Sequence, residues 1–134
     1  MGKKILIMAV MSVLLLAGCN QESIEERLQR ECKEYTKRRC PEDQGKNSIL
    51  DSMVFDIKTH TLNHYYRLYG DADNEENARM KKGELHDEMI KAIREDTGYK
   101  RYKEEGFSFR YIARSDSSGR AIYDETFTKD DYGY

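Results

Sequence analysis

Apolar residues in this chain form one continuous run near the amino terminus and then recur only at regular intervals. Lys3 and Lys4 precede the run, which occupies residues 5–16 and is interrupted only by Ser12. The run is shorter than the roughly 20 apolar residues of a membrane-spanning helix. A positive start followed by a short apolar core is typical of a secretory signal peptide, which is removed from the mature protein. The pattern therefore predicts an exported protein from which residues 1–18 are cleaved.

Helical spacing dominates two later segments. In the first, apolar residues fall at spacings of four, four and three, as on one face of a helix; they are Ile24, Leu28, Cys32 and Tyr35. Ser23 and Glu26 favour a capping box at its start, and Pro41 predicts its end near Arg39. A second helix is predicted over residues 75–96. Its apolar stripe consists of Ala78, Leu85, Met89, Ala92 and Ile93.

Alternation of apolar and polar residues, which is the period of a strand, occurs in two pairs of segments. The apolar phase reverses between residues 51–57 and 61–69, which predicts a hairpin with a turn at 58–60. One long strand with a bulge is the alternative, because the turn lacks the usual glycine. A second hairpin is predicted from strands at 107–114 and 120–128.

The remaining segments are polar and connect these elements. Residues 41–48 are predicted to be a loop, 99–105 a short helix, and 129–134 a polar tail that frays. The order helix, hairpin, helix, hairpin favours an α+β fold, in which an antiparallel sheet of about four strands carries the helices on one face. Residues 19–134 suffice for a single domain with one core.

Charge and motifs exclude several classes of function. Charged residues make up 36% of the chain, and the net charge is −2. A mildly acidic chain lacks the basic surface that binds nucleic acid. No glycine-rich phosphate loop and no HExxH or CxxC spacing occurs, so we expect no cofactor, no metal site and no catalytic residues. His60, His64 and His86 are expected on the solvated surface.

Cys32 and Cys40 are the two cysteines beyond residue 19. Export to an oxidising compartment favours a disulfide between them. An unbroken helix would separate their Cα atoms by roughly 12 Å, beyond the ~7 Å limit for a bridge. The bond therefore requires the chain to fold back before Cys40. The alternative is that Cys32 belongs to the core and Cys40 is a loop thiol.

The end of the apolar run reads Leu16-Ala17-Gly18-Cys19, which resembles the lipobox of bacterial lipoproteins. The resemblance implies that the Cys19 thiol carries a diacylglycerol and that cleavage falls just before it. Several acyl chains give lasting membrane attachment, whereas one is marginal. An ordinary signal peptide with an incidental cysteine is the alternative. Asn20 is not the aspartate that resembles an inner-membrane retention signal, so the outer membrane of a Gram-negative bacterium is expected.

A second resemblance concerns the later part of the chain. Residues 106–111, with the sequence GFSFRY, and the pair Gly119-Arg120 are similar to small lipoproteins of Bacteroides-type bacteria. No site residues follow from this likeness.

Tyrosine is the most abundant aromatic residue, with ten in the chain. Five of them lie on predicted strands and are candidates for a binding surface: Tyr65, Tyr66, Tyr69, Tyr111 and Tyr123. Tyrosine gives a large contact area at low entropic cost, but it is also a good strand former that packs its ring. We therefore expect a small non-enzymatic binding module whose partner is an envelope protein or a glycan. The alternative is an inhibitor or immunity-type protein that blocks an envelope enzyme.

Overall fold

The computed structural model describes residues 21–134; the predicted signal peptide and Cys19 lie outside them. Five α-helices are present in this range: α1 (Ile24–Arg39), α2 (Glu75–Met80), α3 (Lys82–Glu95), α4 (Lys100–Glu104) and α5 (Lys129–Tyr132). Two short 3-10 helices, Gly70–Ala72 and Thr97–Tyr99, lie in the connections. The strands are β1 (Glu42–Gly45), β2 (Ser48–Asp56), β3 (Thr61–Leu68), β4 (Ser108–Ser115) and β5 (Ala121–Phe127). None of the helices in this range is long and apolar enough to cross a membrane.

The five strands form one sheet in the order β1-β2-β3-β4-β5. Both predicted hairpins, β2–β3 and β4–β5, are confirmed as antiparallel pairs. The expectation of a wholly antiparallel sheet is wrong, because β3 and β4 run parallel. The helical connection between them carries the chain back across the sheet, so that β4 starts at the same end as β3.

The segment 41–48 is not the predicted loop. It contains β1, which pairs with β2 through a tight turn at Lys46 and Asn47. Both turn residues have positive φ, 54° and 61°, as the turns of short hairpins require. Sequence reasoning missed this strand because β1 is a polar edge strand, with no apolar alternation to reveal it.

Helix α1 lies along β2 as the pattern predicts. The capping box at Ser23 and Glu26 is confirmed, and the helix ends at Arg39, immediately before the Cys40 cap. Its buried residues are Leu28 and Cys32. The Thr36 hydroxyl ties the helix to β2 by accepting from the Met53 amide (3.0 Å) and donating to the Met53 carbonyl (3.1 Å).

The predicted second helix is divided in two at Lys81, where ψ is near 0°. Helix α2 buries no residue, and α3 fully buries only Ile93, near its carboxyl end. That end is fixed by Lys103, which is itself buried. Its ammonium donates to the carbonyls of Ile93 (2.7 Å) and Arg94 (2.9 Å), which the helix leaves without amide partners.

The last residues do not form the frayed tail that was expected. Residues Lys129–Tyr132 form α5, and Tyr132 is 0% exposed. Its hydroxyl donates to the Phe107 carbonyl at 2.8 Å. The core that it completes also contains Leu28, Cys32, Phe55, Leu62, Ile93, Phe107, Phe109, Tyr111 and Phe127.

A candidate binding groove between the helices

The helix-bearing face of the sheet remains open between α1 and α3. Two cavities of about 570 and 450 Å³ lie there, and Tyr66, Met89 and Tyr111 line both of them, so they form one groove. Its floor consists of Leu62, His64, Tyr66 and Leu68 from β3 with Tyr111 and Ala113 from β4. The lining extends along β3 from Leu62, which is fully buried, to Leu68, which gives the groove a length of about 20 Å at about 3.3 Å per residue.

The two walls of the groove come from helices on opposite sides of it. On one side α1 contributes Leu28, Glu31, Cys32 and Tyr35. On the other side the helices α2 and α3 contribute Ala78, Leu85, Met89 and Ala92. Helix α3 contacts β5 through His86, whose ring lies 5.3 Å from that of Phe127, while Leu85 and Met89 are only half-buried. A groove with a largely apolar lining results.

Stacked rings form the centre of the floor. The His64 ring lies 4.4 Å from the Tyr111 ring with an interplanar angle of 10°, and the Tyr66 and Tyr111 rings are 6.4 Å apart. Such stacks contribute beyond the area that they bury. Register explains the cluster, because His64 pairs with Tyr111 across the parallel strands.

His64 is not the solvated surface residue that was expected, since it is 3% exposed. Its Nδ1 lies 3.2 Å from the Arg110 carbonyl, which can only accept, so Nδ1 carries the proton. Nε2 then accepts from the Tyr99 hydroxyl at 3.0 Å. Burial lowers the pKa of His64 to about 4. The imidazole is therefore neutral at physiological pH.

Charges mark the two ends of the groove. Near Leu68 the lining includes Lys46 and Lys81 together with Asp71. Near Leu62 it includes Glu31 and Asp96 and no basic residue. The groove therefore has a basic end and an acidic end.

The five candidate tyrosines do not form one surface. Tyr66, Tyr111 and Tyr123 all line the groove. Tyr65 follows His64 on β3 and points to the opposite face of the sheet. Tyr69 lies beyond β3, where its hydroxyl donates to Asp43 at 3.2 Å.

The cysteine pair is not bonded. Cys32 and Cys40 are both free thiols, because α1 continues without a break to Arg39 and keeps them apart. Cys32 is a core residue at the groove wall, and burial raises the pKa of its thiol to about 11. Its thiol is thus protonated and poorly nucleophilic at neutral pH.

The other two histidines lie beside carboxylates outside the groove. His60 lies 3.9 Å from Glu25, and His86 contacts the Glu125 carboxylate. Within residues 21–134, no group of three or more histidine, cysteine or acidic side chains is placed to hold a metal ion.

Sequence reasoning missed the groove walls. Ala78, Leu85 and Met89 were assigned to a buried stripe, whereas all three are half-buried. One signal was available: Gly83 interrupts the helix predicted over residues 75–96. The structure divides that helix two residues earlier, at Lys81.

These features define a class: a small α+β domain with a five-stranded, mostly antiparallel sheet and an apolar groove between its helices. The chain belongs to the family described as a domain of unknown function, DUF8479, whose model matches residues 23–123. A search among curated proteins finds no match.

Solved structures share this fold. A Pseudomonas aeruginosa protein described as secreted superposes with a TM-score of 0.68 at 13% identity, covering 84% of this chain and 99% of that chain. The type 2 secretion pilotin EpsS from Vibrio vulnificus gives 0.60 at 13% identity, covering 82% and 92%. The type II secretion pilotin AspS from Vibrio cholerae gives 0.58 at 16%, covering 80% and 90%. At these identities the likeness is one of fold alone.

Proposed function

We propose that this protein is a lipid-anchored binding module of the cell envelope and that its groove holds a segment of another envelope protein. The groove is the observation that carries the proposal. Its lining of tyrosine, methionine, leucine and alanine remains in contact with water in the free chain. An exposed apolar groove with a polar rim is typical of a site for a protein segment.

The dimensions of the groove fit a short segment. About 20 Å corresponds to about six residues of extended chain or about 13 residues of helix. Met89 at the centre can adapt its unbranched side chain to different partners. The proposal is therefore limited to one segment rather than to a whole folded surface.

The chemistry of the groove supports binding rather than catalysis. Both nitrogens of His64 are occupied by hydrogen bonds and its imidazole is neutral, so it has a structural role. The Cys32 thiol is held protonated by burial. The solved pilotins AspS and EpsS, which belong to type II secretion systems, support a place in the envelope through their shared fold.

An inhibitor or immunity-type protein would be expected to present an acidic, protruding loop. In the described part of the chain, the β4–β5 turn carries Asp116, which is paired with Arg67 at 3.2 Å. The segment 71–76 carries four acidic residues, of which Asp73 accepts from the Ser117 amide at 3.0 Å and Glu75 pairs with Arg120 at 2.8 Å. The β1–β2 turn is basic, at Lys46. The groove therefore favours the binding module.

The anchor predicts a loss of membrane attachment in the Cys19→Ser variant. Without the thiol, no thioether to a diacylglycerol can form, and the acyl chains that hold the protein are absent. Cells fed a clickable fatty acid should label the unsubstituted protein and not the variant. A Cys40→Ser variant, which keeps the anchor thiol, is the control. Equal labelling and equal membrane fractionation of Cys19→Ser and the unsubstituted protein would contradict the anchor.

Blocking the groove should abolish partner binding. Met89→Arg places a charge on the groove wall, where a bound segment would have to desolvate it, and we expect at least about tenfold weaker retention of the envelope partner, or about 1.4 kcal/mol. Met80→Arg is a matched control, because Met80 is 74% exposed and does not line the groove. Retention is measured by affinity capture of envelope proteins on the full mature chain, followed by quantitative mass spectrometry.

Thermal unfolding of both variants shows whether either change acts through folding. Retention of the same proteins by unsubstituted protein and Met89→Arg, with both folded, would exclude the groove as the binding site. A similar loss in Met80→Arg would mean that added positive charge, rather than blockage, is responsible.

A further inference from the structure

Two hydroxyl groups at the centre of the groove have no role in the fold. Tyr111 is 8% exposed, yet its hydroxyl makes no hydrogen bond within residues 21–134, and neither does that of Tyr66. No fully buried side-chain polar atom in that range lacks a partner, so the Tyr111 hydroxyl opens into the groove that its ring lines. The two other tyrosines most buried in this core, Tyr99 and Tyr132, both donate to partners in the protein.

An unpaired donor in an apolar groove indicates what the groove holds. A hydrocarbon chain would remove water from the hydroxyl without replacing its hydrogen bonds, which is unfavourable. A polypeptide segment offers backbone carbonyls that accept such a bond. The groove therefore suits a peptide better than an acyl chain.

The charges at the two ends are also unpaired within the described part. Lys46 and Lys81 form no ion pair, and Asp71 leaves that end with a net positive charge. Glu31 and Asp96 form no ion pair either; each accepts one hydrogen bond, from the Tyr102 hydroxyl (3.2 Å) and the Gly98 amide (2.8 Å) respectively. Both carboxylates retain acceptor capacity for an incoming cation.

From these observations, and on the basis of the proposed function, we propose that the bound segment has charges separated along its length. An acidic end lies at Lys46 and Lys81, and a basic end lies at Glu31 and Asp96. The apolar centre presents an acceptor to Tyr111 and Tyr66. Opposite charges at the two ends fix the direction in which a segment lies, because the reversed orientation brings like charges together.

Selection from a random peptide library tests this inference and does not require that the partner be identified. The full mature chain is presented to displayed peptides of about 13 residues, which are long enough to span the groove either as an extended segment, whose backbone carbonyls are free to accept a hydrogen bond, or as a helix. Peptides that bind the unsubstituted chain and not Met89→Arg are groove ligands. We expect these ligands to be enriched in acidic residues at one end, apolar residues in the middle and basic residues at the other end.

Substitutions test separately the charged groups and the hydroxyl group to which this inference assigns ligand recognition. Glu31→Gln combined with Asp96→Asn should weaken ligand binding several-fold and reduce its dependence on salt. Tyr111→Phe should weaken it about two- to tenfold, the loss of one hydrogen bond, without lowering the midpoint of unfolding. Tyr132→Phe is the matched control, because it removes a hydroxyl that bonds within the protein and should leave ligand affinity unchanged.

The results that would overturn this inference differ from those that would overturn the proposed function. Groove ligands without charge separation, or whose affinity is unchanged by Tyr111→Phe and by the charge variants, would overturn this inference and leave the proposed function in place. If no peptide depends on Met89 while palmitate binding does, the occupant is a lipid and both proposals fail.

Discussion

Tyr132→Ala is expected to lower the free energy of unfolding by about 3–5 kcal/mol, the usual cost of removing a large aromatic side chain from a core. Tyr132 is fully buried against Phe109 and donates to the Phe107 carbonyl. Urea denaturation of the mature chain measures the change. Two control variants are measured in the same way. Tyr132→Phe should lower the free energy of unfolding by about 1 kcal/mol, and Tyr134→Ala, at an exposed position, should lower it by about 1 kcal/mol or less.

If Tyr132→Ala and Tyr134→Ala have the same small effect, the carboxyl-terminal residues fray in solution and α5 is not part of the fold. A graded series would establish that this short helix closes one end of the core.

Acid is expected to destabilise the protein through His64. The pKa of this buried imidazole is about 4 in the folded chain, against 6.5 when exposed. Between these values the unfolded chain binds a proton that the folded chain does not, so stability falls as pH decreases from about 6.5 to about 4. The full contribution is about 3 kcal/mol, at about 1.4 kcal/mol per pKa unit.

The His64→Phe variant isolates this contribution. It keeps a ring against Tyr111 but cannot bind a proton, so it should be less stable at pH 7 and lose less stability on acidification. The same pH dependence in His64→Phe and the unsubstituted chain would show that His64 is solvated.

Local periodicity predicted the elements whose apolar residues face the core. The stripe of α1 and the alternation of β4 are both reproduced, because each repeats over several turns or residue pairs. Strand β1 and helix α5 were missed for the opposite reason: one is a polar edge strand, and the other has a single buried side chain. Neither leaves a repeating pattern.

The pairing of distant strands and the burial of His64 could not be predicted from the pattern of residues along the chain. Residues 61–69 and 107–114 contain no pattern which indicates that these two strands, far apart in sequence, pair in parallel. That pairing places His64 on Tyr111, which converts a histidine expected in water into a buried one. The predictions of a wholly antiparallel sheet and of a solvated His64 failed because they depended on such contacts.

The sequence predicted that tyrosines would form the candidate site, but it did not predict where on the sheet the site lies. Tyrosine on strands was expected to supply a binding surface, and Tyr66, Tyr111 and Tyr123 do line the groove. Tyr65 and Tyr69 were included only because strand membership does not reveal which face lies under a helix. Both parts of the divided helix, α2 and α3, line the groove.

Site-specific photo-crosslinking in living cells tests the central claim most directly, because it reports which surface of the anchored protein touches a partner. A photoreactive phenylalanine analogue replaces Ala78 on the groove wall, or Glu76, exposed on the same helix and outside the groove. The account predicts a covalent adduct with a discrete envelope protein from position 78, which Met89→Arg removes, and none from position 76. An adduct from position 76 alone, or from neither position, would contradict it.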